Sequence, residues 1–299
     1  MQTTLKRLVP PPVRRVLKNS QGAILDLIDA ARGLDLPPRR LRGFVGDGDF
    51  RATGEEHLRY FIEYGKLRPD HKVLDVGCGI GRMALPLAHY LSPQGEYYGF
   101  DPTAESVNWC TKHITSRFPN FHFELADLHN EFYSPLGKYN PENFRFPYED
   151  NSFDFIFLTS VFTHLFPDAM RNYFSEIGRV LRKDGRSFIT YFFLNPESVA
   201  LTSAGKSSLN FVHQLKGCWT AYPGNPEGAL AFDETEIRSL YQASPIRIAE
   251  QRYGQWCGRP SDYGGFQDVI IGLKEQQRST ISGTHFSCDC GLPPPMRAE

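Results

Sequence analysis

The stretch HKVLDVGCGIGRMALPLAHYL, residues 71–91, sets Gly77, Gly79 and Gly81 at alternate positions between an apolar run and a segment with helical spacing. A short apolar run bounded by glycine is the pattern of a buried strand. Glycine at such a point lets the backbone turn through positive φ at no steric cost and lets a ligand approach it closely. The stretch therefore reads as strand, tight turn and helix, the unit from which parallel sheets are built.

The alternation continues downstream. Strands are expected at Lys72–Val76, Tyr97–Phe100, Phe121–Leu125, Phe153–Leu158 and Ser187–Phe193. Helices are expected near 81–91, 103–117 and 168–182, the last closed by Lys183-Asp184-Gly185. Thr53-Gly54-Glu55-Glu56 reads as a capping box opening a helix to about Tyr64, and Asp233-Glu234-Thr235-Glu236 as another opening a helix to about Ala243. Ile246–Trp256 and Phe266–Leu273, joined by CGRPSDYGG, read as an antiparallel pair. The expected fold is thus α/β: one Rossmann-like sheet, mostly parallel, with an antiparallel edge hairpin. Residues 194–232, rich in Gly, Pro, Ser and aromatics, read as a long loop acting as a lid.

Residues 13–31 space Val13, Val16, Leu17, Ile24, Leu27, Ile28 and Ala31 as an amphipathic helix with a basic start. Two readings stand: contact with a membrane surface, or a helix docked on the main domain. Asp26 and Asp29, which interrupt the basic face, favour docking. LDLPPRRLRGFVGDGDF then reads as a linker ending in a glycine-rich loop. The expected organisation is an N-terminal helical arm and linker at 1–45, a main domain at 46–274 and a flexible tail at 275–299.

A chain of 299 residues, 40% hydrophobic and 22% charged, has the composition of a globular protein. Its formal net charge of -1 supplies no positive field to draw in nucleic acid. No run of about 18 apolar residues marks a transmembrane helix, and Pro10-Pro11-Pro12 stands where a signal peptide needs its apolar core. A cytoplasmic location is expected. Cys78, Cys110, Cys218, Cys257, Cys288 and Cys290 form no paired CxxC motifs, and the thiols of Cys288-Asp289-Cys290 are expected to be reduced bystanders.

What the glycine loop holds follows from its neighbours. A phosphate-binding P-loop needs Lys-Ser or Lys-Thr after its glycines, and none follows here. The dinucleotide fingerprint GxGxxG is missed as well, because the third glycine comes one residue early. Asp75, directly before the loop, would repel a pyrophosphate and attract a cationic sulfonium or amino group. The local chemistry favours a positively charged ligand with amino-acid character.

VLDVGCGIGR resembles motif I of the class I S-adenosylmethionine (SAM)-dependent methyltransferases, [DE]xGxGxG after the first strand. The resemblance covers about residues 70–193 and, more loosely, the later helix and hairpin. It implies a seven-stranded sheet whose last strand is antiparallel, and SAM as cofactor. Asp75 would then face the methionine end, with Gly77, Cys78 and Gly79 admitting the ligand to the backbone. Gly81 would let the next helix pack closely, while Arg82 would orient the loop or meet the SAM carboxylate. Asp101, ending EYYGFDP, matches the acid that binds both ribose hydroxyls, and Pro102 turns the chain into the next helix. Read without the resemblance, Asp101 is equally a helix cap. Asp127 and Leu128 match the residues that receive the adenine amino group and cover its ring, and Ser160 and Val161 those bordering the methionine moiety.

Some relatives hold magnesium through acids after the fourth strand; the exit here, Thr159 to His164, has no carboxylate, so no metal is expected. His164 is the candidate general base, since imidazole titrates at about pH 6.5. The equal alternative is a histidine that only positions its neighbours. His129 and His213 read as loop histidines. Phe211, His213, Trp219 and Tyr222 of the lid, with Trp256, Arg259 and Tyr263 of the hairpin, are the expected substrate contacts, Arg259 toward a carboxylate or phosphate. For Trp256 hairpin packing is the competing role. Phe44, Phe50 and Gly54 would bring the upstream loop over SAM. The function expected is methyl transfer from SAM to a hydroxyl of a small molecule or glycan. A protein methyltransferase and a non-catalytic SAM-binding module are the alternatives. An amino methyltransferase of nucleic acid would carry [DN]PP[YF] where this chain reads TSVFTHL.

Overall fold

The computed structural model describes residues 22–29, 31, 36–46, 48–131 and 133–275. The flexible tail expected at 275–299, apart from residue 275, and most of the helix expected at 13–31 lie outside the described residues. After a helical segment at 22–29, the chain runs α1 (Arg39–Arg42), α2 (Phe50–Glu63), β1 (Lys72–Val76), α3 (Ala84–Tyr90), β2 (Glu96–Asp101), α4 (Ala104–Cys110), β3 (Phe121–Leu125) and β4 (Phe153–Leu158). It continues through α5 (Pro167–Val180), β5 (Leu181–Tyr191), β6 (Phe193–Leu194), α6 (Pro196–Ser203), β7 (His213–Leu215), β8 (Cys218–Thr220), β9 (Leu230–Asp233), α7 (Glu234–Gln242), β10 (Ile246–Arg252) and β11 (Asp268–Lys274).

Seven strands form one sheet in the order β10-β11-β5-β4-β1-β2-β3. Neighbours among β1 to β5 pair in parallel, and β11 is antiparallel to both β5 and β10. The expected hairpin is present, with its reversed strand lying one place in from the edge. Alternation sorts the side chains between two cores. Val73, Phe155, Phe157, Phe188, Val269 and Ile271 meet Phe61 of α2 and Leu87 of α3 on one face. Leu74, Ile156, Leu158, Ile189 and Ile270 meet Tyr173, Phe174 and Ile177 of α5 and Ile237 of α7 on the other. Strands buried on both faces need near-continuous apolar sequence, and the six residues FDFIFL of β4 are all buried. Asp154 is tolerated there because it accepts the Lys72 N–H (2.8 Å) and pairs with Arg182.

Three expectations change. α2 starts at Asp49, whose carboxylate accepts from the Ala52 N–H (2.7 Å), so Thr53 lies inside the helix. The helix expected to 182 ends at Val180, because buried Leu181 already pairs with Phe153 of β4. Lys183-Asp184-Gly185 instead bulges out of β5, Asp184 at φ 62°, before pairing resumes at Arg186 opposite Phe155. Residues 194–232 are no open loop. They carry α6 and, with β6, a second sheet in the order β6-β9-β8-β7. Its apolar residues close a small core in which Phe211 and Ala231 pack with Phe192, Trp256 and Cys257.

Candidate cofactor and active site

In a parallel sheet the strands all release their loops at one edge, where ligands bind. Here that edge gathers the glycine loop after β1, Asp101 at the end of β2, Asp127 after β3 and Ser160 to His164 after β4. The Gly77 and Cys78 N–H groups both donate to the Phe100 carbonyl (2.9 and 3.0 Å), which ties the loop to β2. Gly77, Gly79 and Gly81 all take positive φ, 79°, 51° and 78°. A Cβ on Gly77 would lie 2.6 Å from Val161 Cγ2, and one on Gly79 would lie 2.8 Å from Val45 Cγ1. A Cβ on Gly81 would come within 2.9 Å of Ile114 and 3.0 Å of Cys110, so the glycine makes room for α4 and the turn after it rather than for the helix that follows the loop, whose Ala84 stands 3.7 Å away.

The segment before α2 thus reaches the glycine loop, through Val45. Phe50 packs with Leu41 and Ile80, and Gly54 lies against the Arg82 carbonyl, where a Cβ would come within 2.4 Å. The Phe44 side chain lies outside the described residues. The sequence pointed to the segment but missed Val45, which no motif marks.

Two buried carboxylates flank the loop. Asp101 Oδ2 accepts from the Gly79 N–H (2.8 Å) and Oδ1 from the Thr103 N–H (2.9 Å). It therefore anchors the glycine loop and holds the backbone at Thr103, the N-cap residue of α4, without itself capping that helix. Asp75 lies on the same face of β1 as Val73, where Tyr97 Oη donates to its Oδ2 (2.6 Å). Its Oδ1 is buried without a hydrogen-bond partner among the described residues. Burial drives the Asp75 carboxyl up to about 8 and the Asp101 carboxyl upward as well. Arg82 Nε is likewise buried without a partner, and the Arg82 charge acts on Asp75 and on the Tyr133 phenol. An orphaned carboxylate oxygen, an orphaned guanidinium nitrogen and a glycine loop suit a ligand bearing both an ammonium and a carboxylate group.

Farther along the edge, Leu128 is buried, and Asp127 accepts the Lys138 and Tyr139 N–H groups on its carbonyl (both 2.9 Å) while its carboxylate pairs with Lys138 (3.2 Å). Pro102 lies between Asp101 and Thr103, the N-cap residue of α4. Ser160 holds positive φ, 61°, an uncommon backbone state fixed by its N–H to Thr190 Oγ1 (2.8 Å) and its Oγ to Gln267 Oε1 (3.0 Å). Val161 then begins the single turn Phe162–His164. His164 Nδ1 lies 2.6 Å from the Glu227 carbonyl oxygen, and its ring meets Tyr133 edge-on with centroids 5.4 Å apart. Burial holds the His164 pKa below its ordinary value. Thr190, Gln267, Tyr133 and Glu227 carried no sequence signal, because each joins the site from a distant part of the chain.

The expected acceptor residues divide. Tyr222 is exposed, His213 is exposed on β7 and Trp219 half-buried on β8. Phe211 and Trp256 are buried together, with ring centroids 5.3 Å apart. Trp256 Nε1 donates to Asp268 Oδ2 (2.8 Å), an oxygen that also takes the Phe193 N–H (2.8 Å). Arg259 is buried beside Glu197 (3.3 Å) and Asp268 (3.5 Å), with its guanidinium over the Tyr253 ring. Tyr263 packs on Tyr60, centroids 4.9 Å apart. Trp256, Phe211 and Arg259 are thus buried where the second sheet meets the first, and buried Asp268 draws on the donor of Trp256 and the charge of Arg259. His129 lies by Glu131 (3.7 Å).

The strand order, the reversed β11 and the acid–glycine edge define a class I SAM-dependent methyltransferase fold. A family model described as a methyltransferase domain matches residues 67–236, more than half of the chain, and the chain belongs to that family. Among curated relatives, a wheat (Triticum aestivum) phosphoethanolamine N-methyltransferase is 27% identical over 177 residues, 58% of this chain and 28% of that protein. The uncharacterized methyltransferase YcgJ of Bacillus subtilis is 30% identical over 151 residues, 50% of this chain and 51% of that protein. The match thus spans about half of one of these relatives and 28% of the other. Among solved structures, protein PH0226 of Pyrococcus horikoshii aligns with a TM-score of 0.53 at 16% identity, over 77% of this chain and 93% of that one. A SAM-dependent methyltransferase of Methanosarcina mazei aligns at 0.50 and 21% identity, over 72% and 98%. No helix among the described residues is long and apolar enough to cross a membrane, and no cluster among them could hold a metal ion.

Proposed function

We propose that this chain transfers the methyl group of SAM to a hydroxyl of a small molecule or sugar, with His164 as general base. One observation carries the base: the 2.6 Å contact between His164 Nδ1 and the Glu227 carbonyl. A carbonyl only accepts, so Nδ1 keeps its proton and Nε2 is left as the acceptor. The lowered pKa keeps the ring neutral at pH 7, ready to take a proton. SAM supplies an activated methyl group with its own leaving group. Asp101 would hold the ribose, Asp127 and Leu128 the adenine, Asp75 the ammonium, and Arg82 the carboxylate of that ligand. Val161, against Gly77, would fix the sulfonium end. Trp219, Tyr222 and His213 of the small sheet are the candidates for acceptor contact.

A small-molecule amine is the second reading, favoured by the wheat relative's name as a phosphoethanolamine N-methyltransferase. Incubation with labelled SAM and fractionated metabolites decides between them. A labelled methyl ether supports the hydroxyl, a labelled methylamine the second reading, and label on protein alone rejects both.

A further inference from the structure

The helical segment at 22–29 is docked the wrong way round for an ordinary surface helix. Its acidic residues face inward. Arg39 Nη1 lies 3.1 Å from Asp26 and 2.6 Å from Asp29, and Arg42 Nη2 lies 3.2 Å from Asp29. The Arg39 N–H adds bonds of 3.1 and 3.2 Å to the two Asp26 oxygens. These pairs explain Asp26 and Asp29, which stand among apolar residues in the sequence. The outward face carries Ile24, Leu25, Leu27 and Ile28, exposed by 58%, 44%, 71% and 39%. A docked amphipathic helix normally buries its apolar stripe and shows its charges. A contiguous outward patch of large aliphatic side chains marks a surface that something else covers.

The charge of the neighbouring sequence identifies the partner. Residues 1–21 hold Lys6, Arg7, Arg14, Arg15 and Lys18 and no Asp or Glu. This stretch carries +5 and the rest of the chain -6, against a total of -1. Two such stretches would repel each other across a symmetric self-interface, whereas an anionic surface attracts both.

We propose that the apolar face of residues 24–28 docks on an anionic lipid bilayer. The aliphatic side chains enter the headgroup boundary, and the +5 charge of the preceding sequence adds an electrostatic attraction to an anionic surface. The ion pairs to Arg39 and Arg42 then tether the catalytic domain at that surface.

Sedimentation of the full chain with phosphatidylcholine vesicles, with and without phosphatidylglycerol, tests this. Binding is expected only with phosphatidylglycerol and is expected to fall at high salt. The double variant Ile24→Glu, Leu27→Glu should bind at least about tenfold more weakly while melting as the parent does. If that variant fails to fold, Arg14→Gln, Arg15→Gln, Lys18→Gln replaces it, with an expected loss of roughly fivefold for each charge. The proposal is overturned if the parent ignores phosphatidylglycerol vesicles or if the variant used binds them as the parent does. It is also overturned if, without vesicles, the parent is a dimer by analytical ultracentrifugation and the variant a monomer, since a second copy then covers the face.

Discussion

Asp101 Oδ2 and the Gly79 N–H are joined by a 2.8 Å hydrogen bond across 22 residues of sequence. The carboxylate at the tip of the second strand thus shapes the glycine loop after the first. Any ligand that draws on Asp101 also feels the loop.

Asp101→Ala should therefore weaken SAM binding by about ten- to a hundredfold, the loss of bonds to a charged acceptor. Titration calorimetry measures this directly. Unchanged affinity would remove Asp101 from the ribose site.

Asp75 makes binding depend on pH. Its carboxyl, pushed up to about 8 by burial, is mostly protonated at neutral pH, and a cationic ligand favours the ionised form. Binding should release a proton, so affinity should rise by up to about tenfold per pH unit toward pH 8 and level off above it. The sign for stability is opposite. A carboxyl raised on folding stabilises the fold below its unfolded pKa of about 4, and that contribution is lost as pH climbs to about 8. Asp75→Asn should flatten the binding profile and raise the melting temperature of the ligand-free protein at pH 8. A profile as steep as the parent's would show that another group titrates.

His164→Ala should lower turnover by about a hundred- to ten-thousandfold while SAM affinity stays within a few-fold. Because burial depresses the His164 pKa, the acid limb of the parent's rate profile should lie below about pH 6.5. A variant with full turnover would leave His164 a positioning residue only.

Asp268 tests the structural half of the molecule. It accepts from the Phe193 N–H, the Gly254 N–H (2.9 Å) and Trp256 Nε1, and it faces Arg259. Asp268→Ala strands these groups in the core and should cost about 3–5 kcal/mol. Denaturant unfolding measures the loss, and a loss under about 1 kcal/mol would contradict the packing described here.

The donor half of the site was legible in sequence for a physical reason. Motif residues such as Asp75, Gly77, Gly79 and Asp101 act through local backbone, at the ends of strands that alternation already marks. The acceptor half was not. Arg259 and Trp256 look like binding residues by type, yet Asp268, at the start of the next strand, takes both as partners. Asp49 capped the helix assigned to Thr53 because a carboxylate competes better for the first free N–H groups. The residues that orient His164 and Ser160 come from 63 and 107 positions away, distances over which no local pattern operates.

The small sheet leaves and rejoins the core at one place. Phe193 pairs with Phe232 and Leu194 with Asp233, so the excursion of residues 195–231 starts and finishes on two neighbouring strands. Lengthening or replacing such an excursion leaves the span between its ends unchanged. Descendants of this architecture can exchange the small sheet, the proposed acceptor contact, while the glycine-loop edge is inherited intact. The fold separates what can diversify from what must be kept.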